Sequence, residues 1–62
     1  MILATRRNMQ EHPGSIAVDK EGYEFSATPG DYWFLDPDEP VTDVDGEPLI
    51  LARPVPGTYE LL

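Results

Sequence analysis

The chain has 62 residues, a formal net charge of −8, an isoelectric point near 4.1 and no cysteine. A chain this short buries only about 60% of the surface exposed by its unfolded form, which leaves little room for an enzyme pocket. The absence of thiols excludes a disulfide framework, and four Lys and Arg against twelve Asp and Glu exclude direct nucleic-acid binding, which needs a basic patch.

The apolar content predicts a folded domain. Hydrophobic residues make up 40% of the chain and aromatic residues 10%, too much for a disordered acidic tail. We therefore expect a single domain over residues 1–62. The chain has no apolar run long enough for a membrane helix, and its short apolar start precedes its positive charges, unlike a signal peptide. A cytoplasmic protein is expected.

The first half of the chain predicts one helical turn and a hairpin. Residues 1–4 can form a short strand, and residues 5–11 are where a helical turn is plausible. Residues 15–19 read as a strand, and residues 23–27 alternate so that Tyr23, Phe25 and Ala27 point inward. The turn between these strands contains Gly22, which suits a position of positive φ.

The second half predicts further strands joined by proline- and glycine-rich turns. Residues 28–31 fit a type II turn, and residues 32–35 read as a strand that is apolar on both faces. Residues 36–48 form an acidic loop in which Asp45-Gly46 favours a hairpin, so that residues 40–44 and 47–51 can pair.

The last predicted strands cover residues 49–52 and 58–62, with residues 54–57 as a break between them. Together the segments predict an all-β fold, a small antiparallel barrel or a strongly bent sheet of five to six short strands.

Residues 21–52 carry nine carboxylates and no Lys or Arg. Carboxylates two apart on an extended chain would stand about 6.7 Å apart, close to two phosphate steps of a DNA strand. One-signed charge at this density favours a basic partner, although a merely solubilising surface is the alternative. The predicted contact carboxylates are Asp31, Asp36, Asp38, Glu39, Asp43, Asp45 and Glu47.

Tyr32 and Trp33 are the predicted anchors of such an interface, because Trp and Tyr are common interface hot spots. If Tyr32 and Phe34 face inward, Trp33 and Leu35 lie outside. Alternatively, a closed barrel or residues 1–12 cover Trp33. Burial of Trp33 is the slightly favoured outcome, since so small a domain has few large side chains for its core.

Neither a metal site nor an active site is predicted. Asp43-Val44-Asp45-Gly46 matches part of a calcium loop, but the register would place Val41 and Ala52 at ligand positions. The single histidine, His12, precedes Pro13-Gly14 in a turn, where an exposed residue is expected rather than a general base. We expect a protein that is not an enzyme and has no cofactor.

The turn Pro29-Gly30-Asp31-Tyr32 follows Gly22 and Ala27, and Gly46-Glu47 and Thr58-Tyr59-Glu60 come after it. This set resembles small phage and prophage proteins that share a Pro-Gly-Asp-Tyr turn. The resemblance implies a compact β fold and a mobile-element origin, and it brings no catalytic residues.

The leading hypothesis is a small acidic inhibitor that binds a basic, nucleic-acid-binding surface of a host protein, as a DNA mimic with an anti-defence or anti-CRISPR-like role in the host cytoplasm. The alternative is a structural or adaptor module that docks or self-associates through Trp33 and a strand edge. A third reading is an antitoxin-like partner of a basic toxin.

Overall fold

The computed structural model describes residues 1–26 and 28–62. Over these residues the elements are α1 (Arg6–Glu11), β1 (Ile16–Val18), β2 (Glu24–Phe25), a 3₁₀-helix (Pro29–Tyr32), β3 (Ile50–Val55) and β4 (Thr58–Leu61). The four strands form one antiparallel sheet in the order β2-β1-β3-β4.

The sheet is antiparallel and dominates the fold, as the sequence predicts, but it is not closed into a barrel. The prediction of five to six strands is not confirmed in the described part of the chain. Residues 1–4 contribute one isolated bridge, from Leu3 to Ile50, and the Asp45-Gly46 hairpin is reduced to one bridge between Thr42 and Pro48.

The predicted helical turn is confirmed as α1. Thr5 precedes the helix in an extended conformation, and its Oγ1 accepts a hydrogen bond of 3.0 Å from the Asn8 backbone N–H. This cap satisfies one of the N–H groups that a helix start leaves without a partner. Helix α1 then places Met9, which is 2% exposed, in the core.

The predicted hairpin is confirmed as β1 and β2, with Ala17 opposite Phe25 and a positive φ at Gly22. The inward placement of Tyr23 is wrong, since its side chain is 68% exposed. Tyr23 still belongs to the turn and lies outside the two-residue strand β2, so the strand alternation does not reach it. The prediction for Ala27 falls outside the described residues.

Residues 29–35 differ most from the prediction. Instead of a type II turn and a strand, the chain forms a 3₁₀-helix and a following turn, and Gly30 does not have a positive φ. The Asp31 N–H donates to the Thr28 carbonyl and the Leu35 N–H to the Tyr32 carbonyl, both at 3.0 Å. These local bonds replace the ladder bonds that a strand would need.

Strand β3 continues through Pro54, where the sequence predicts a break. β1 pairs only with residues 50–52 of β3, so on that side no strand of the described sheet lies beside Pro54 and its lack of an N–H costs the sheet no hydrogen bond. On the side of β4, Pro54 lies opposite Tyr59, next to the pair Val55 and Thr58 that closes a two-residue turn. Gly57 in that turn has a φ of +80°, as a type II turn requires.

The core forms between the sheet, α1 and the acidic segment 36–48. Leu49 and Leu51 are fully buried, and Val41 joins them at 3% exposure. The Val41 N–H donates to the Ala4 carbonyl at 2.7 Å, and the Leu49 N–H donates to the Val41 carbonyl at 2.8 Å. The acidic segment is therefore anchored in the core at its centre.

Candidate functional site

The loop between β1 and β2 is organised by one carboxylate. Asp19 Oδ1 accepts hydrogen bonds of 2.9 Å from the backbone N–H groups of Glu21 and Tyr23. The Asp19 carbonyl accepts a further bond of 3.0 Å from the Gly22 N–H. The turn is closed by its first residue, and the Lys20 and Glu21 side chains are left exposed.

The loop over residues 43–47 repeats this arrangement. Asp43 Oδ1 accepts bonds from the N–H groups of Asp45, at 2.8 Å, and Glu47, at 3.0 Å. The Gly46 N–H donates to the Asp43 carbonyl at 3.1 Å, and Gly46 has a φ of +83°, close to the +88° of Gly22. We call residues 19–23 and 43–47 the twin loops.

The pairing of β1 with β3 brings the twin loops together. Val18, the last residue of β1, pairs with Ile50, the first residue of β3, so the loop after β1 and the loop before β3 lie at the same end of the sheet. They border a depression of about 180 Å³. Its described lining combines five carboxylates with one base: Asp19, Glu21, Asp43, Asp45, Glu47 and Lys20.

The expected extended row of carboxylates is wrong. Because Asp43 Oδ1 bonds the N–H groups of residues 45 and 47, the chain turns where the row requires it to run straight. Asp36 and Asp38 also lie in a turn, where the Glu39 N–H donates to the Asp36 carbonyl at 3.0 Å. The charge is therefore carried by the tips of turns and not by an extended row.

The remaining predicted carboxylates lie outside the twin loops, on residues 31–39. Asp31 lies in the first turn of the 3₁₀-helix, and its carboxylate accepts a hydrogen bond from the Ser26 hydroxyl. Asp36 and Glu39 are exposed. Asp38 forms an ion pair with Arg7, whose Nε lies 2.8 Å from Asp38 Oδ1, so its charge is matched inside the protein.

The hydrogen bond from Arg7 is the main cause that lowers the pKa of the Asp38 carboxyl below its ordinary value. Desolvation opposes this shift, and the positive charge of Arg7 adds to it. A carboxylate with a lowered pKa stabilises the fold above its ordinary pKa, and this contribution is lost as the pH falls through the lowered value. Both side chains are more than half exposed, so the contribution to stability is small.

Arg7→Gln is expected to raise the pKa of Asp38 toward the ordinary value of about 3.9, because the guanidinium N–H groups and their positive charge are removed together. An NMR titration of the Asp38 carboxyl carbon measures this change. Arg53→Gln is the control, since Arg53 faces Glu60 at 3.7 Å and not Asp38. An unchanged Asp38 titration in Arg7→Gln would contradict the ion pair.

The predicted anchor Trp33 is exposed, at 73%, so the favoured burial of its ring is wrong. Phe34, which one of the alternatives placed inward with Tyr32, is also 72% exposed. Residues 1–12 do not cover Trp33; instead Arg6 Nη1 donates to its carbonyl oxygen at 3.0 Å. The turn backbone is held while two large rings face solvent.

Tyr32 and Leu35 are the residues of this turn that pack against the core. Burial raises the pKa of the Tyr32 hydroxyl, and the neighbouring Asp31 carboxylate raises it further. Tyr32 therefore stays neutral and serves mainly as packing, with its ring partly accessible at the surface.

Sequence reasoning missed Asp19, Glu21 and Phe34 as parts of the candidate surfaces. The shared spacing Asp-x-x-Gly, at residues 19–22 and 43–46, is a signal that could have marked the first two. The two loops lie together only because β1 pairs with β3, and these two strands are far apart in the chain. For Phe34 no local signal distinguishes it from Tyr32.

Among the described residues no three or more His, Asp or Glu side chains are arranged to hold a metal ion. Within the same residues no helix has the length and apolar character needed to cross a membrane. No family model matches the chain, and neither curated proteins nor solved structures give a match.

Proposed function

We propose that this protein binds a basic surface of another protein and blocks it. The observation that carries the proposal is the depression between the twin loops, where five carboxylates meet one lysine. Elsewhere in the described chain Arg7 and Arg53 face Asp38 and Glu60, so these bases do not offset the cluster.

The cluster is suited to recognition because its backbone is fixed before binding. Each loop is closed by three hydrogen bonds to its first aspartate, so binding does not have to order it. A net charge of −8 also steers a basic partner toward the protein. Such steering weakens with salt, since exposed charges are screened beyond about 8 Å at physiological ionic strength.

Nucleic-acid-binding surfaces are the basic surfaces that fit this proposal best, because they present Lys and Arg side chains to phosphates. The protein would then act as a DNA mimic, in an anti-defence or anti-CRISPR-like role consistent with a phage origin. Support comes from the density of charge at the twin loops and not from a regular spacing, since the extended row is absent.

Neutralising Glu21, Asp45 and Glu47 by Glu→Gln and Asp→Asn tests the proposal. These side chains do not close the loops, which Asp19 and Asp43 do, so the fold is expected to remain. Three exposed ion pairs contribute about 1 to 3 kcal/mol, or roughly 5- to 150-fold in affinity. The immobilised protein is used to capture partners from a host lysate at low and high salt, and mass spectrometry identifies them.

The matched control neutralises Glu11, Glu24 and Glu60, which are exposed and do not line the depression. Both triple variants change the net charge equally, so a difference between them locates the binding surface. Capture that the control retains and the twin-loop variant loses supports the proposal. Equal capture by both variants, or capture that is insensitive to salt, contradicts it.

The adaptor alternative is favoured by one observation, the exposure of Trp33 and Phe34 side by side. Large exposed aromatic side chains commonly mark docking sites. In this case Trp33→Ala abolishes docking while the twin-loop variant binds normally, and the same capture experiment separates the two functions.

A further inference from the structure

A groove of about 520 Å³ lies between the turn at residues 32–35 and the segment 39–42. It is separate from the depression between the twin loops, with which it shares none of its described lining residues. Its walls are mostly apolar, with one carboxylate among them: Tyr32, Phe34, Leu35, Val41, Pro48 and Glu39.

The residues at the base of the groove are held in place by packing and backbone hydrogen bonds. Val41 is 3% exposed and is held by backbone hydrogen bonds to Ala4 and Leu49. Leu35 packs against the core and is fixed by its own N–H bond to the Tyr32 carbonyl. Phe34, in contrast, stands at the wall with 72% of its surface exposed. A ligand that covers the Phe34 ring would remove apolar surface from water without reorganising the floor.

The charge around the groove selects the ligand. Glu39 lines it, Asp36 is exposed in the same turn, and the described lining contains no Lys or Arg. Asp38 is matched by Arg7, which leaves Asp36 and Glu39 to interact with a cation from outside. A second copy of this chain is a poor fit, because each copy carries a net charge of −8. Its Arg7 and Arg53 face its own carboxylates, and its Arg6 donates to its own Trp33 carbonyl.

We propose that the groove binds an extended segment of a different protein in which a large apolar side chain is flanked by Lys or Arg. The apolar side chain lies against Phe34, Leu35 and Val41, and the flanking cation pairs with Glu39 or Asp36. This inference rests on the proposed function, since it specifies how the basic partner makes a second contact.

The test uses the full chain and a synthetic nonapeptide, Gly-Ser-Lys-Phe-Lys-Leu-Lys-Ser-Gly. Trp33 is the single tryptophan of the chain and lies between two groove residues, so its fluorescence reports whether the turn becomes covered. Calorimetry gives the affinity. One control peptide replaces each Lys with Glu, and the other replaces Phe and Leu with Ser.

We expect the nonapeptide to bind with a blue shift of Trp33 emission, and both control peptides to bind at least about tenfold more weakly. Phe34→Ala is expected to weaken binding about tenfold, since truncating a central aromatic contact typically has this effect. Glu39→Gln should weaken it about threefold and reduce its salt dependence. Glu24→Gln removes the same charge from an exposed side chain that lines neither the groove nor the depression, and it should leave binding unchanged.

Equal binding of the Ser peptide, or an unchanged affinity in Phe34→Ala, overturns the inference, because charge alone would then explain the contact. A Trp33 shift that follows the protein's own concentration without peptide also overturns it and assigns the face to a second copy. Loss of lysate capture in the twin-loop variant but not in Phe34→Ala leaves the proposed function standing without the groove.

Discussion

Leu51→Ala is expected to lower the free energy of unfolding by about 2 to 5 kcal/mol, the usual effect of removing a buried leucine side chain. Leu51 is fully buried in β3, the strand to which both β1 and β4 pair. Its N–H also donates to the Ile2 carbonyl at 2.8 Å. A chain of 62 residues has a total stability of only about 3 to 9 kcal/mol, so much of it would be lost.

Urea unfolding followed by circular dichroism measures this loss. Leu61→Ala is the control, because it makes the same chemical change in β4 where the side chain is 51% exposed. We expect the control to lose about 1 kcal/mol or less. Similar losses in the two variants would contradict the burial of Leu51.

Gly22→Ala is expected to be clearly more destabilising than Gly46→Ala, although the two glycines occupy the same position in the twin loops. Both have a φ above +80°, where a side chain is strained by about 1 to 2 kcal/mol. At Gly46 an added Cβ meets nothing within 4 Å, whereas at Gly22 it lies 3.2 Å from the Tyr59 ring. Overpacking there adds about 1 kcal/mol or more.

The cause can be isolated by repeating Gly22→Ala in a Tyr59→Ala background. Without the ring, the loss from Gly22→Ala should fall to that of Gly46→Ala, because only the backbone strain remains. Thermal and urea unfolding give the differences, which form a double-mutant cycle. A loss from Gly22→Ala that is the same with and without Tyr59 would show that the close approach has no energetic effect.

The contact between Gly22 and Tyr59 also describes the shape of the sheet. Gly22 precedes β2 at one edge, and Tyr59 belongs to β4 at the other edge, with β1 and β3 between them. The sheet must curl to bring the Tyr59 ring over Gly22.

Elements defined by local chemistry could be predicted from the sequence. The helical turn at α1, the hairpin of β1 and β2 with Gly22 at its turn, and the last strand each depend on neighbouring residues. Residues 32–35 could not be predicted, because four apolar residues in a row fit a strand or a packed turn equally well. In the structure these residues form a turn, because the backbone hydrogen bonds of this segment join residues three apart in the chain.

The candidate surfaces were harder to predict than the elements. The acidic block in the sequence suggested one surface. Folding divides it among the twin loops, residues 31–39 and Glu24 in β2, and Arg7 pairs with Asp38. Asp19 joins the cluster through the pairing of Val18 with Ile50, residues far apart in the chain. Only the tertiary fold specifies such a meeting.

In the twin loops, one set of residues determines the backbone conformation and a different set is exposed to solvent. Asp19, Asp43 and the two glycines define each turn, whereas the side chains at positions 20, 21, 44 and 45 are exposed, Val44 at 96%. Substitutions other than proline at those four positions are expected to change the surface charge and to leave in place the hydrogen bonds that close each loop.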